Sequence, residues 1–370
     1  MSLNSLNLQE INQEQALNLL TFFIRSNKNI TLFGRAGTGK TEMALQAVQA
    51  CNLKLSYINL SVVDRSDIMG YPSIHEQGDV ITFKSPHYLP KLLENQQPDT
   101  VILFDEVDKC APEITAPLLE ILQFRKINGV PINAHACILT GNLPNERTYN
   151  NTISSAILDR SAKYILNFDF EQWLDWAKVN NVHDLILGFL KSDPSFTIGK
   201  EEYETTYASP SPRGWTLASQ ALISAKENKI VDIDSITQII SGYVGNEAGM
   251  RFSTWYCYWK QYEPYVHSLI ERGNMSFNFA DLMPTEKVVF VIAACYHAKQ
   301  KVFSDKSKNR FIYLERLCDF FNDYKVDTEV QVIGLHTSFN FDQIKTQKLY
   351  QCKVFFDHFT KLSEGISFRK

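Results

Sequence analysis

The chain alternates between two patterns of apolar residues. Over the first ~170 residues, short apolar runs rich in β-branched and aromatic residues are separated by segments whose apolar residues recur with helical spacing. This alternation predicts an α/β domain built on a mostly parallel sheet with helices on both faces. Five strands are predicted, at Ile30–Phe33, Leu55–Leu60, Val101–Phe104, Ala136–Thr140 and Lys163–Asn167.

Turn residues add a hairpin to this pattern. Asn128-Gly129 separates Arg125-Lys126-Ile127 from Val130-Pro131-Ile132, and this spacing predicts a β-hairpin. The hairpin follows a helix predicted at Glu113–Phe124 from its apolar spacing.

After Phe170 the spacing becomes helical throughout. The segment Ser209-Pro210-Ser211-Pro212 cannot continue a helix, so a new helix is expected near Arg213. The aromatic-rich segment 255–259 is interpreted as core packing rather than a base-stacking surface, because only Lys260 brings positive charge close to it. Further helices are predicted at Thr285–Lys299, Arg310–Asp323 and Asp342–Leu362.

Residues 34–41 read Gly-Arg-Ala-Gly-Thr-Gly-Lys-Thr, between a predicted strand and a predicted helix. Glycines let the backbone turn tightly and bring its N–H groups close to phosphate oxygens. Lys40 would place a positive charge on the β- and γ-phosphates, and the Thr41 hydroxyl would ligate Mg²⁺. The alternative, a glycine-rich turn without a ligand, does not explain a complete motif between strand and helix. The predicted binding residues are Gly34, Arg35, Ala36, Gly37, Thr38, Gly39, Lys40 and Thr41.

Two acids end the predicted strand at Val101–Phe104. A carboxylate at the C-terminal end of such a strand lies beside the phosphate loop, where open α/β sheets bind ligands. We expect Asp105 to hold Mg²⁺ together with Thr41, and Glu106 to polarise the attacking water. A pair of solvated acids is the alternative, and the complete phosphate loop upstream argues against it.

Three more polar residues are candidates for the reaction. Asn142 follows the strand predicted at Ala136–Thr140, where its amide could orient water against the γ-phosphate or could only begin a turn. Arg160 ends a predicted helical segment, and Arg213 begins the helix after the proline-rich linker. The arginine fork suits a polyphosphate, although most arginines are surface residues without such a task.

The order of these motifs resembles the AAA+ ATPases, and within them the MoxR-like group. The Asp67-Ile68-Met69-Gly70-Tyr71 segment, followed by residues 83–89, is similar to the insertion that MoxR-like proteins carry in their second helix. Residues 124–129 resemble the hairpin before the first sensor. Residues ~11 to ~250 carry the resemblance. The sensor stretch Thr-Gly-Asn-Leu-Pro departs from the common Ala-Thr-x-Asn-Pro, which affects subgroup placement rather than ATPase activity.

This resemblance implies both an architecture and site roles. It implies a five-stranded αβα nucleotide-binding core over residues 1–168, with an insertion at about 70–89 and a hairpin at about 124–134. An all-α lid over 169–248 and a helical C-terminal extension over 249–370 would follow. Asn142 would be the first sensor, Arg160 the finger offered to a neighbouring subunit, and Arg213 the second sensor. The implied cofactors are ATP and Mg²⁺, and the implied assembly is a ring, commonly a hexamer.

Composition limits the remaining choices. Net charge is −4 and the isoelectric point is about 6.1, so there is no global electrostatic signature of nucleic-acid binding. The longest apolar stretch, Val288–Cys295, is too short to span a bilayer, and no signal peptide is visible at the N-terminus. The seven cysteines are scattered and lack a Cys-x-x-Cys pair, which favours reduced, mostly buried thiols in a cytoplasmic protein.

Three functional hypotheses follow. The leading one is an ATP-driven machine that remodels or assembles a protein partner; by resemblance, that client could carry a von Willebrand factor A domain. A nucleic-acid motor or loader is the alternative. It would need a basic stripe or an appended helix-turn-helix, which the net acidity and the mixed charges of the C-terminal third do not supply, although a local basic patch stays open. A non-hydrolysing scaffold would need neither Glu106 nor Arg160. No Asn-Lys-x-Asp motif supports GTP specificity.

Overall fold

The structure is a computed structural model, and it describes residues 8–74, 81–84, 88–143, 153–199, 209–230, 232–307 and 309–367. The chain divides into two compact units, Met1–Gln172 and Trp173–Lys370. The first unit is an α/β domain and the second is helical.

The first unit is built on a six-stranded parallel sheet. Its strand order is β1-β10-β2-β9-β6-β3, and two separate two-stranded antiparallel pairs, β4 with β5 and β7 with β8, lie outside it. The strands are β1 (Gln9–Ile11), β2 (Ile30–Gly34), β3 (Lys54–Asn59), β4 (Tyr71–Ile74), β5 (Ile81–Lys84), β6 (Thr100–Asp105), β7 (Lys126–Ile127), β8 (Val130–Pro131), β9 (Ala136–Gly141) and β10 (Ala162–Leu166).

All five strands predicted from the sequence are present, but the predicted number of strands is wrong. The sixth strand, β1, pairs with β10 at the edge of the sheet, where Gln9 lies opposite Tyr164. It has only three residues, and Gln9 and Glu10 are exposed while Ile11 is buried. Such a segment has no apolar run, so its pairing depends on backbone hydrogen bonds that the hydrophobic pattern does not reveal.

Helices cover both faces of the sheet. Side chains alternate along β2, so Leu32 packs with α1 and α2 on one face while Phe33 packs with α4 on the other. Burial on both faces explains why β2, β6 and β9 are almost continuously apolar. The helices of this unit are α1 (Gln13–Arg25), α2 (Lys40–Ala50), α3 (Arg65–Met69), α4 (Thr115–Phe124) and α5 (Ser155–Leu158).

The predicted hairpin is confirmed by β7 and β8. Asn128 and Gly129 both have positive φ, 51° and 77°, as a two-residue hairpin turn requires. Their backbone N–H groups donate to the Glu120 carboxylate at 3.1 and 2.9 Å, and the Asn128 amide donates to the Met69 carbonyl at 2.7 Å. The hairpin is thereby fixed to α4 and to the end of α3. The predicted insertion contains the β4–β5 pair, and its residues 75–80 and 85–87 lie outside the described residues.

The second unit is helical, as the spacing after Phe170 predicts. A new helix begins at Pro212, where Ser211 caps it by accepting from the Gly214 N–H at 3.0 Å. The aromatic segment 255–259 packs into the core, with Trp255, Tyr256 and Trp259 buried. The helices are α6 (Phe170–Val179), α7 (Asp184–Ser192), α8 (Pro212–Glu227), α9 (Ile233–Val244), α10 (Asn246–Arg272), α11 (Pro284–Ser304), α12 (Ile312–Asp323), α13 (Thr328–Ser338), α14 (Phe341–Thr346) and α15 (Lys353–Ser367).

One predicted helix of this unit is wrong. The single helix predicted at Asp342–Leu362 is two helices, α14 and α15, separated by a short 3₁₀ turn at Leu349–Gln351. Lys348 breaks the continuity, because its φ of 54° lies in the left-handed region that an α-helix cannot include. The division of residues 169–370 into a lid and an extension stays a prediction.

The cysteine prediction agrees with the structure. All seven cysteines are free thiols, and five of them are buried. Burial raises the pKa of Cys110 and Cys137 to about 11. Across the described residues, none of the helices combines the length and apolar character that crossing a bilayer requires.

Candidate functional site

The loop between β2 and α2 has the conformation that phosphate binding requires. Gly37 and Gly39 have φ of 74° and 93°, values that residues with a side chain rarely adopt. Gly34 lies against β10, and a Cβ there would lie 3.1 Å from both the Cβ and the carbonyl oxygen of Leu166. The loop leads directly into α2, so its N–H groups and the positive end of the helix dipole point to the same place.

Lys40 lies at the start of α2 with only 8% of its surface exposed. Its ammonium donates to the Gly34 and Arg35 carbonyls at 2.7 and 2.9 Å, and to the Asn142 amide oxygen at 3.2 Å. A buried ammonium needs such acceptors to offset its lost hydration. The ammonium is therefore held beside the loop, in a position to exchange a carbonyl acceptor for a phosphate oxygen.

Asp105, at the end of β6, is the centre of a hydrogen-bond network. One carboxylate oxygen accepts from the Thr41 hydroxyl at 3.1 Å and from the Tyr57 hydroxyl at 3.0 Å. The other oxygen accepts from the Thr140 hydroxyl and, at 3.0 Å, from the Glu106 N–H. Burial and then the Asp105 charge raise the pKa of Tyr57 to about 12, so Tyr57 stays a donor.

This donor set fits Mg²⁺. A hydroxyl oxygen and a carboxylate oxygen from Thr41 and Asp105 lie within hydrogen-bond distance of each other beside the phosphate loop. Mg²⁺ prefers hard oxygen ligands and completes its shell with water and phosphate oxygens. Thr41 and Asp105 are thus brought together as the sequence predicts.

Glu106 follows directly and has an unusual backbone. Its φ and ψ of 58° and 43° place it in the left-handed region, which costs a non-glycine residue roughly 1–3 kcal/mol and often marks a functional site. Its carboxylate accepts from Lys109 at 2.9 Å. Burial alone would raise the pKa of Glu106, but hydrogen bonds from Lys109 and Ser61 outweigh it and lower the pKa below the ordinary value. The side chain is therefore a carboxylate at neutral pH.

Asn142 is positioned by an acid that sequence reasoning missed. Asp108 is only 2% exposed, and its carboxylate accepts from the Asn142 backbone N–H at 2.9 Å and from the Asn142 amide at 3.4 Å. With its amide nitrogen directed to Asp108, Asn142 presents its oxygen to Lys40. Asp108 could have been identified from the sequence as the third acid of the segment Asp105-Glu106-Val107-Asp108.

Arg160 and the phosphate loop lie at opposite ends of the strands of the sheet. Arg160 precedes β10, whose first residue Ala162 pairs with Ile30, whereas the loop begins at Gly34 at the far end of β2. Four residue steps of strand, at roughly 3.3 Å each, separate those ends by about 13 Å. The structure therefore does not bring Arg160 to the phosphate loop of its own chain.

The Arg160 guanidinium is held at the surface by three hydrogen bonds. It donates twice to the Gln123 amide oxygen, at 3.0 and 2.8 Å, and once to the Ala156 carbonyl at 2.7 Å. Arg160 lines a cavity of about 500 Å³ that Lys28 and Arg125 also line. Asp159 also lines it, so three cationic side chains and one carboxylate leave this concave surface with a net positive charge.

Arg213 belongs to the second unit, as the second residue of α8, and its side chain is exposed. The Ser211 cap orients the first turn of this helix. The sensor role of Arg213 stays a prediction.

Comparison with known proteins agrees with this geometry. Residues 30–165 match the model of the ATPase family associated with various cellular activities (AAA). Over this range, the α/β unit is similar to an AAA ATPase domain. The matched range runs from the start of β2 almost to the end of β10 and includes the phosphate loop, the Asp105-Glu106 pair, Asn142 and Arg160.

Curated relatives match only part of the chain. An uncharacterized protein of Staphylococcus haemolyticus is 29% identical over 125 residues, which cover 32% of this chain and 45% of that protein. An uncharacterized protein of Staphylococcus epidermidis is 29% identical over 106 residues, which cover 27% of this chain and 38% of that protein. The chain thus spans less than half the length of these relatives.

Two solved structures are similar over most of the chain but only loosely. A candidate ATPase from Cytophaga hutchinsonii is 16% identical with a TM-score of 0.35, covering 93% of this chain and 89% of that one. A point mutant of RuvB from Thermotoga maritima is 11% identical with a TM-score of 0.33, covering 84% of this chain and 82% of that one.

Proposed function

We propose that this protein is a MoxR-like AAA+ ATPase that binds and hydrolyses ATP with Mg²⁺ to remodel or assemble a protein partner, acting as an oligomeric ring. The supporting observation is that the candidate residues lie at the two opposite ends of the strands of one sheet. Five of them lie together at the C-terminal ends of the strands: Lys40, Thr41, Asp105, Glu106 and Asn142. Arg160 lies at the N-terminal ends.

Within one chain, the residues at the C-terminal ends of the strands would perform most of the reaction. The loop N–H groups and Lys40 would bind the phosphates, and Thr41 and Asp105 would hold Mg²⁺, which neutralises charge on the β- and γ-phosphate oxygens. The Glu106 carboxylate would accept a hydrogen bond from the attacking water and orient it. Asn142 would detect the γ-phosphate, since its oxygen already accepts from Lys40.

An arginine contribution to this site would come from a neighbouring copy. Charge develops on the γ-phosphate oxygens during transfer, and a guanidinium placed there lowers the barrier. Arg160 cannot reach the loop of its own chain, yet it lies on an open, positively charged surface at the far edge of the same domain. A ring in which this surface contacts the phosphate-loop edge of the next copy would complete each site.

The client surface would include the β4–β5 pair and the β7–β8 hairpin. Both carry exposed apolar side chains, with Tyr71, Phe83 and Val130 exposed by 63%, 44% and 62%. Beside them lies a mainly apolar groove of about 560 Å³, lined in part by Met69 and Phe83. None of these residues belongs to the catalytic set. By resemblance, the client would be a protein with a von Willebrand factor A domain.

Client capture tests this proposal. Glu106→Gln should hold ATP without turnover and retain the client through an affinity purification, whereas Lys40→Ala should not. Adding Phe83→Ser to Glu106→Gln should abolish retention, while adding Tyr350→Ser, an exposed aromatic in the second unit, should leave it intact. Retention that is independent of both ATP and Phe83 would contradict the client surface. Nucleic acid in place of a protein would favour a nucleic-acid motor.

A further inference from the structure

Two histidines and one glutamate converge where the last turns of α10 pack against α11. His267 and Glu271 are four residues apart and therefore lie on the same face of α10, and His297 comes from α11. The His297 Nε2 lies 3.1 Å from a Glu271 carboxylate oxygen, and the His267 Nδ1 lies 3.9 Å from the same oxygen. Each residue offers one ligand atom, and the three atoms lie within 4.8 Å of one another.

These separations are close to those of a metal's ligand shell. Zn²⁺ binds histidine nitrogen and carboxylate oxygen at roughly 2.0–2.2 Å in a tetrahedral arrangement, so neighbouring ligand atoms lie about 3.4 Å apart. The two imidazole rings are stacked, with centroids 3.9 Å apart, so one ring must turn for both lone pairs to point at one ion. The His267 side chain is 48% exposed and has room to turn.

The cluster brings together donor types that transition metals prefer. Two imidazole nitrogens and one carboxylate oxygen meet here, with His297 buried and with His267 and Glu271 exposed to solvent.

The backbone beneath Glu271 is fixed in place. The Arg316 guanidinium, from α12, donates to the Glu271 carbonyl and, at 3.1 Å, to the Ile270 carbonyl. Gly273, with φ of 70°, ends α10 two residues later. A ligand on a fixed helix end loses little conformational freedom on binding, which favours affinity.

Lys301 is the competitor for this site. Its ammonium lies 2.6 Å from the same Glu271 oxygen that faces both histidines. Lys301 is 36% exposed and can move into water when a cation takes its place. We propose that His267, Glu271 and His297 form a binding site for a divalent transition metal of the Zn²⁺ class, which displaces Lys301 from Glu271 and links α10 to α11. Water would complete the coordination shell on the exposed side.

A titration of the full chain, freed of any affinity tag, tests the site. Calorimetry with Zn²⁺ should show one binding event that His267→Gln weakens at least about tenfold, because the ion loses one of three protein ligands. Lys301→Met should tighten the same event, since it removes the competing cation but no ligand. His336→Gln, a histidine elsewhere in this unit, is the matched control and should change nothing.

A second measurement reports coordination directly. Co²⁺ substituted into the wild-type protein should give the visible absorption of a low-coordinate cobalt site, and His267→Gln should lose it while its far-UV circular dichroism is unchanged. Zn²⁺ should also raise the wild-type melting temperature, because a ligand that binds only the folded state stabilises it. Equal Zn²⁺ affinity in wild type and His267→Gln, or weaker binding by Lys301→Met, would overturn the proposal and leave an ordinary ion-pair cluster.

Discussion

The Asn142 amide oxygen accepts a hydrogen bond from the buried Lys40 ammonium at 3.2 Å, so the lysine proposed to bind phosphate and the residue that follows β9 are directly coupled. Asp108 fixes the other side of Asn142 by accepting from both its backbone and its amide N–H groups. These three side chains form a buried line from the loop into the domain. A change in the group that Lys40 binds would therefore first alter its hydrogen bond to Asn142.

Asp108→Asn should slow ATP hydrolysis more than it weakens ATP binding. It replaces a charged acceptor, and hydrogen bonds to charged groups contribute roughly 1.5–3 kcal/mol, which corresponds to about 10- to 100-fold in rate if the loss falls on the transition state. Steady-state hydrolysis and nucleotide titration separate the two effects. Asp108→Asn combined with Asn142→Ala should be no slower than Asn142→Ala alone. Additive losses would show that Asp108 acts independently of Asn142.

Lys40→Ala should abolish nucleotide binding. Among the described residues of the loop, Lys40 is the one whose buried ammonium faces the Asn142 oxygen and the loop carbonyls. Titration with a fluorescent ATP analogue measures the loss. Lys54→Ala, which removes an exposed lysine from β3, is the control and should bind normally. Unchanged affinity in Lys40→Ala would exclude this loop as the phosphate site.

Glu106→Gln should bind ATP normally and hydrolyse it slowly, because the amide retains the shape but cannot accept the proton of the attacking water. Single-turnover hydrolysis with a parallel binding titration measures both properties. Turnover within a few-fold of wild type would show that Glu106 is not the catalytic base. The substitution keeps the shape of the side chain, so the variant should keep the wild-type melting temperature.

The pH dependence of hydrolysis should depend on Lys109. Hydrogen bonding from Lys109 and Ser61 lowers the pKa of Glu106 against the effect of burial, so the active carboxylate persists as pH falls below the ordinary glutamate value. Lys109→Met removes one of these contributions and leaves burial, which raises the pKa, less opposed. The acid limb of the rate profile should move to higher pH in Lys109→Met. An unshifted acid limb would show that another group controls it.

Sequence motifs located most of this site because its residues lie at the ends of strands. Lys40, Thr41 and Asp105 follow apolar runs, and parallel strands place all their carboxyl ends at one edge. Tyr57 and Thr140 could not be found in that way. They reach Asp105 because β3 and β9 lie on either side of β6, and strand order is set by tertiary packing rather than by local pattern.

Two other features were hidden for similar reasons. β1 pairs through its backbone and carries two exposed polar side chains, so it leaves no apolar period to detect. The His267, Glu271 and His297 cluster joins residues 30 positions apart from two helices, and its histidines have no metal-binding spacing in the sequence. Local signals thus predicted the secondary-structure elements and the phosphate-loop and acidic motifs, while contacts between distant elements required coordinates.

Arg160 should act on the site of a neighbouring copy. Arg160→Ala should bind ATP but hydrolyse it about 10³-fold more slowly, the scale associated with loss of an arginine finger. Activity per wild-type chain should rise with protein concentration, since the site is complete only in an assembly. Gln123→Ala is a useful companion, because it removes a partner of the Arg160 guanidinium but leaves its charge.

Mixing two inactive variants decides between action in trans and action within one chain. Lys40→Ala lacks the phosphate-binding lysine but keeps Arg160, and Arg160→Ala keeps the lysine but lacks the guanidinium. In a mixed assembly, some interfaces pair an intact loop with an intact arginine, so part of the activity should return. The return should depend on the mixing ratio and disappear on dilution. If sedimentation shows co-assembly and no activity returns, Arg160 does not complete a neighbour's site, and the charged surface at that end of the strands must serve another purpose.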